Sequence, residues 1–373
     1  MKKKALIFGI KQYWDKAYLP PIIFAEYLVK QGYDVNYVAD DISIFHLKKW
    51  KLSLNLLCQI KETIFNGIKD NNITYYSGFI FIPEFIVNSL YLFVYKNFNF
   101  QFKSKKVKKI LNDKYDIIWS SSYRNIDLFN QSTSNIKLFS IEDNIRGFNI
   151  IPENKISYVE KIILNTDNIK ILCTSLALIH EKYTNAIYYS NGINQNFKIL
   201  PFKNSNNKKC VYIGALEDWF DWELINNTFE KLSKDGYTLD IYGFSNNDIS
   251  KLIKTNNIKF KGSIDNTKVQ SILTKYDIGI IPFKVTDLIE YVNPIKLYEY
   301  LASGLKVISI NWKELKYINP NCTILSTRDD FQNNLVLLNN QEYSLNSISQ
   351  MQDVLKLKEY NSIFDNVMSQ IEK

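Results

Sequence analysis

The sequence predicts an α/β protein of two domains, each a parallel sheet covered by helices on both faces. Three observations carry this. The chain has 373 residues, more than one ordinary core holds. Hydrophobic residues make up 46% and aromatics 14%, enough to fill two cores and to exclude a disordered chain. Short apolar runs alternate with helix-period segments along most of its length, the pattern of strands joined by crossover helices.

Taken in order, residues 4–10 read as a buried first strand. That run is too short for a signal peptide, and it leads into Lys11 and Asp15. Residues 20–31 read as a helix, with Pro20 and Pro21 in its first turn and Gly32 just past its end. Residues 34–39 complete a βαβ unit. Further strands are expected at 116–120, 136–140, 170–174 and 187–190. The polar run 203–209 reads as a linker. A second series of strands follows at 210–215, 238–242, 258–261, 277–282, 306–310 and 322–325. The expected division is a Rossmann-like domain over 1–195, a second over 196–345, and a helical segment over 346–373 that can cross back to the first. The two domains are expected to face a cleft.

Charge and rare residues narrow the function. The net charge of +8 suits polyanions such as nucleotide phosphates, anionic lipid or nucleic acid. No RNA- or DNA-binding signature is present, so nucleic acid ranks last. Cys58, Cys173, Cys210 and Cys322 are scattered and only His46 and His180 occur, which argues against a zinc site. Cys173 and Cys210 lie in strand-like runs and read as buried thiols of a reducing cytoplasm. The first strand ends Phe8-Gly-Ile-Lys-Gln-Tyr13, without the GxGxxG of a dinucleotide-binding dehydrogenase.

One stretch breaks the rhythm. Residues 79–102 are dense in aromatic and aliphatic side chains, and the lysine-rich run 103–109 follows. Pro83, Glu84, Asn88, Ser89 and Lys96 interrupt it, so it falls short of a membrane span. Two readings stand: a segment lying in a membrane interface with its lysines on anionic lipid, or a core helix followed by a solvated basic helix.

The strongest chemical signal is a strand–loop–helix–strand cassette. It runs Asp277-Ile-Gly-Ile-Ile-Pro-Phe283, then Asn293-Pro-Ile-Lys-Leu-Tyr-Glu-Tyr-Leu-Ala-Ser-Gly304, then Lys306-Val-Ile-Ser-Ile310. A helix N-terminus at the carboxyl edge of a parallel sheet is an anion site, because its free N–H groups point outward. Lys296 adds positive charge there, and Glu299, three residues on, shares its face. A carboxylate so placed can accept both hydroxyls of a ribose diol. Taken alone, the pair would read as an incidental surface contact; the whole cassette argues otherwise.

This cassette resembles the donor-site signature of GT-B glycosyltransferases, in particular bacterial enzymes of teichuronic acid, exopolysaccharide and capsule synthesis. Tyr188-Tyr-Ser-Asn-Gly-Ile193, Val211–Trp222 and Ile258-Lys-Phe-Lys-Gly-Ser263 resemble further segments of that family, in the same order. The resemblance covers the chain from about Ile136 onward. It implies the GT-B fold and a nucleotide sugar, with UDP as the guess, as donor. Lys296 would contact the diphosphate and Glu299 the ribose. Gly214 would let the backbone approach the phosphates, Ser263 and Phe283 would border the nucleotide, and Asn293 belongs to the same donor set. For Gly214 a plain tight turn, and for Phe283 plain core, are equal alternatives.

Many retaining members carry a second glutamate eight positions before the ribose glutamate. Tyr291 stands there and Glu290 is one residue off, which favours an inverting subgroup resembling the xanthan-pathway glucuronosyltransferase. An inverting reaction needs a base. The segment Ser140-Ile-Glu-Asp-Asn-Ile-Arg-Gly-Phe148 resembles the subgroup's loop, with Asp143 as the base and Glu142 as its understudy. The alternative is that Asp143 only caps a turn. Asp40-Asp41 lacks the DxD form of metal-dependent glycosyltransferases, so no metal and no cofactor beyond the donor are expected. The acceptor is expected to be a saccharide or lipid-linked saccharide of surface polysaccharide synthesis, handled in the cytoplasm or peripherally on the inner membrane face. Competing functions are a retaining enzyme, a nucleotide-sugar 2-epimerase and a non-catalytic partner subunit.

Overall fold

The computed structural model describes residues 2–15, 19–43, 53–80, 101–148, 151–193, 196–245 and 248–372. The chain divides into two compact units. One holds Met1–Cys173 and Asn185–Ile187, and the other holds Thr174–Thr184 and Tyr188–Lys373.

The strands of the first part are β1 (Lys4–Gly9), β2 (Asp34–Ala39), β3 (Ile42–Ser43), β4 (Ile68–Asp70), β5 (Ile73–Tyr76), β6 (Phe79–Ile80), β7 (Gln101–Phe102), β8 (Lys114–Ser120), β9 (Thr133–Ile141), β10 (Ile169–Cys173) and β11 (Ile187–Tyr188). Eight of them form one sheet in the order β11-β10-β9-β8-β1-β2-β5-β4, and β3, β6 and β7 form a small second one. In the large sheet β5, β2, β1, β8, β9 and β10 pair in parallel, and β4 joins the β5 edge antiparallel. Ala5, Leu6, Ile7 and Phe8 are wholly buried, as expected of a central parallel strand covered on both faces. The Pro20–Lys30 helix packs beside it, starting on its two prolines.

The second unit is simpler. Its strands are β12 (Lys209–Ile213), β13 (Thr238–Tyr242), β14 (Ile258–Gly262), β15 (Ile278–Ile281), β16 (Lys306–Ile310) and β17 (Thr323–Ser326). All pair in parallel in the order β14-β13-β12-β15-β16-β17. Its core gathers Tyr212, Tyr298, Tyr300 and Trp312 around β15 and β16. Met351 and Leu355 of the Leu345–Leu357 helix join that core. The last helix, Tyr360–Ile371, also lies in this unit.

Both sheets reverse their direction of strand addition beside their first strand. β2 and β8 flank β1; β13 and β15 flank β12. The crevice outside the carboxyl ends of the strands at such a switch point is where open α/β sheets bind ligands. In the second unit that point lies at Ile213 and Ile281, where the cassette begins.

The membrane reading of residues 79–102 falls mostly on 81–100, which lie outside the described residues. Of the lysine run, Lys103 is buried and pairs with Asp41. The Lys105–Leu111 helix turns Lys105, Lys106, Lys108 and Lys109 outward and buries Val107. Among the described residues no helix is long and apolar enough to cross a membrane.

Candidate active site

The Ile295–Ala302 helix begins directly after Pro294. Leu297 and Leu301 are buried against the sheet, which fixes the helix's rotation and leaves Lys296 and Glu299 together on another side. Both are half-buried, and neither side chain makes a hydrogen bond or ion pair with any described residue. The Lys296 Nζ instead stands over two rings, 5.5 Å from the Phe283 centroid and 5.7 Å from that of Tyr212. Burial lowers the Lys296 pKa, against the opposing pull of Glu299. Burial also pushes the Glu299 carboxyl up to about 7, although Lys296 pulls it down. A cation and a carboxylate are thus held side by side, partly desolvated, with their hydrogen-bonding capacity unused by the described residues.

Bare backbone meets Lys296 from the neighbouring strand ends. Gly214 follows β12, and its N–H donates to the Tyr242 carbonyl at 3.0 Å. A Cβ on Gly214 would stand 2.2 Å from Lys296 Cε, so any side chain there would push the lysine away. Gly243 follows β13, and a Cβ on it would stand 1.8 Å from the Gly214 carbonyl oxygen, a backbone atom that cannot step aside. Ser263, exposed past β14, donates its Oγ to the Gly243 carbonyl at 3.2 Å. Gly214, Gly243 and Ser263 therefore line three adjacent strand ends. Phe283 is only 5% exposed and stacks on Trp312 at 5.9 Å, so it acts as a wall behind Lys296.

Asn293 turns the other way. It is fully buried: its Nδ2 donates to Glu314 Oε1 at 3.0 Å and to the Tyr188 hydroxyl at 3.2 Å, and its Oδ1 accepts from the Tyr298 hydroxyl at 3.0 Å. Its carbonyl accepts from Asn191 Nδ2 at 2.7 Å, so the Asn-Gly segment has a physical role in fixing the entry to the helix. Glu314 is equally buried and also accepts from Ser175 Oγ and Ala177 N, both at 2.9 Å. Lys358 closes the cluster, with Nζ 2.8 Å from Ser190 Oγ and above the rings of Tyr188 and Tyr298. Burial draws its pKa down to about 8, against the pull of Glu314. Glu314 and Lys358 were not singled out in the sequence, because the groups they hold come from remote segments: Ser175 and Ala177 for Glu314, Ser190 and Tyr188 for Lys358.

Glu290 acts locally. Its Oε2 accepts from the backbone N–H of Lys313 at 2.9 Å, at the start of the Lys313–Ile318 helix. Tyr291 and Lys313 both bond Glu181.

In the first unit, β9 ends at Ile141 and the chain turns through Glu142 and Asp143. Asp143 is half-buried and its carboxylate accepts no hydrogen bond from a described residue; burial pushes it up to about 7. Burial and the neighbouring Asp143 push Glu142 up to about 8, with a Ser121 hydrogen bond opposing. The nearest basic residue in sequence, Arg146, is taken by Glu153 and Glu160. Two carboxyls that titrate near neutrality therefore stand at the carboxyl end of a parallel strand.

No protein-family model matches the chain. A stretch of 104 residues is 31% identical to TuaH of Bacillus subtilis strain 168, designated a teichuronic acid biosynthesis glycosyltransferase. That stretch is 27% of this chain and spans about a quarter, 26%, of the relative. Solved structures match over nearly the whole length. A variant of S. aureus TarM, in complex with fondaparinux, α-GlcNAc-glycerol and UDP, aligns at TM-score 0.63 and 13% identity over 99% of both chains. HepE of Anabaena, in complex with UDP and glucose, aligns at TM-score 0.62 and 12% identity over 100% of both. A UDP-forming α,α-trehalose-phosphate synthase from Burkholderia xenovorans aligns at 0.60 and 10% identity over 100% of this chain and 99% of that one. Together with the two switch-point sheets, these likenesses show that the chain has the GT-B fold, built of two Rossmann-like units.

Proposed function

We propose that the chain is a glycosyltransferase that moves a sugar from a UDP-sugar to a saccharide or lipid-linked saccharide acceptor of surface polysaccharide synthesis. One observation carries the reading: Lys296 and Glu299 stand together without protein partners among the described residues, beside the backbone of Gly214 at the switch point of a parallel sheet. Lys296 and the free N–H groups of the Ile295–Ala302 helix take the diphosphate, and Glu299 takes the ribose hydroxyls. Gly214 and Gly243 leave room for the phosphates; Ser263 and Phe283 border the nucleotide; Asn293 shapes the loop from inside. UDP in the TarM and HepE structures supports the choice of base, and the TuaH designation supports the polysaccharide role. In the same proposal the enzyme works in the cytoplasm or on the inner membrane face.

The reaction follows as an inverting displacement. The acceptor oxygen attacks the anomeric carbon, the bond to the diphosphate breaks, and Asp143 receives the hydroxyl proton. The engagement of Glu290 with the Lys313 N–H favours this over a retaining route.

Calorimetry with UDP tests the donor site. Lys296→Ala and Glu299→Gln are each expected to weaken binding roughly 10–150-fold, the value of one charged hydrogen bond of about 1.5–3 kcal/mol. Unchanged affinity in both variants would sink the reading. The leaving diphosphate is neutralised by Lys296 and helix N–H groups, so transfer is expected to continue in EDTA. Activity lost to the chelator and restored by magnesium or manganese would contradict that.

A further inference from the structure

Beside Phe283, the carboxyl ends of β15, β16 and β17 border a half-open cavity of about 440 Å³. That lies within the roughly 300–1,000 Å³ of small-molecule sites. Its apolar lining is Phe283, Val285 and Ile310. Its charged lining is Lys284, Lys316 and Arg328 against the single carboxylate of Asp221. Arg328 is already committed to Asp221 and Glu223. Lys284 and Lys316 have no ion-pair or hydrogen-bond partner for their Nζ atoms among the described residues. Asn311 also lines the cavity, and its Oδ1 is shut off from solvent without a hydrogen-bond donor. Its backbone N–H is anchored to the Ser326 carbonyl at 2.9 Å, so the amide is held in place.

We propose that this cavity binds an anionic sugar unit, one that carries a phosphate or a carboxylate on a hydroxylated ring. Each part of the lining meets one part of such a ligand. Lys284 and Lys316 take the anion. The Asn311 Nδ2, which makes no hydrogen bond with a described residue and is not shut off from solvent, donates to a ring hydroxyl oxygen. Phe283, Val285 and Ile310 receive the C–H face of the ring. A bare phosphate would leave the apolar wall unused, and a neutral sugar would leave both lysines unused. The site adjoins the donor position and shares Phe283 with it as a common wall, but Gly214, Gly243, Lys296 and Glu299 are not among its lining residues.

The test is a titration of the whole chain, saturated with UDP, with glucose 6-phosphate, glucuronate, glucose and inorganic phosphate, followed by NMR or calorimetry. Glucose 6-phosphate, glucuronate or both should bind at least tenfold more tightly than glucose and than inorganic phosphate; which of them does so identifies the anion. The double charge reversal Lys284→Glu with Lys316→Glu, at exposed positions, should weaken the sugar anion at least tenfold and leave UDP affinity unchanged. Equal affinity for glucose, equal affinity for inorganic phosphate, or displacement of the sugar anion by UDP would each overturn the proposal. The first comparison needs no variant, and it stands whether or not Lys296 and Glu299 hold the donor.

Discussion

Asp143→Asn is expected to lower turnover by about 10²–10⁴-fold while UDP affinity holds, the contribution of a general base. The exchange keeps the side chain's shape and removes its capacity to take a proton. The pH profile gives a second reading. Asp143 must be ionised to act, and burial sets its titration at about 7. In the native protein kcat/KM should therefore fall tenfold per pH unit below about 7, and this limb should vanish in the Asn variant. Turnover near normal in Asp143→Asn would end the assignment and pass the role to Glu142. Stability moves the opposite way with pH. Glu142, Asp143 and Glu299 all bind protons more tightly folded than unfolded. Their contribution to stability is complete below about pH 4, the ordinary carboxyl value, and is lost as pH rises through about 7 to 8.

Glu314→Ala is expected to be the most damaging single change to the second unit. Glu314 accepts from Ser175 Oγ, Ala177 N and Asn293 Nδ2 in a fully buried setting. Truncation strands those donors and removes the negative charge near Lys358. A loss of about 3–5 kcal/mol follows from breaking such a network, and about 10 °C in the thermal midpoint of a unit this size. Thermal unfolding measures it, and a midpoint within ~2 °C of native, less than 1 kcal/mol on that scale, would contradict it. UDP binding should weaken as well if the proposed donor site holds, because Asn293 at the entry to the Ile295–Ala302 helix would lose one partner. Lys358→Met separates the two effects: it removes the opposing charge and leaves every bond to Glu314 in place.

The fold was legible because buried parallel strands leave a simple trace. Runs such as 34–39 and 306–310 are rich in β-branched and aromatic residues and match β2 and β16 residue for residue. The geometry of the cassette was legible for a related reason. Lys296 and Glu299 are neighbours on one helix, so their proximity follows from helical spacing alone. What escaped was contact at long range. Asn293 lies in the cassette, yet its side chain turns inward to Glu314 and Tyr188, and no local pattern announces that. Gly243 could have been noticed, since a glycine directly after a strand repeats the setting of Gly214. The carboxylate of Glu290 was weighed against a missing glutamate of a motif; its bond to the Lys313 N–H belongs to a helix that begins beyond the next strand.

The strand order of the second unit also bears on how the chain is made. β12 sits in the middle of its sheet, with β13 on one edge and β15 on the other. The β13 partner arrives early in synthesis. The β15 partner begins only at Ile278, although β12 ends at Ile213. At roughly 5–20 residues per second, the ribosome takes on the order of 3–13 seconds to cover that interval. Throughout it, the Cys210–Val211 edge that will pair with Ile278 and Gly279 has no strand of its own to meet. A nascent chain with an open, apolar strand edge is a template for wrong pairings, between copies on one messenger or with other unfolded chains. The same architecture that places the Ile295–Ala302 helix beside the centre of the sheet leaves the second unit exposed to such pairings until β15 has emerged, and slower synthesis lengthens that interval.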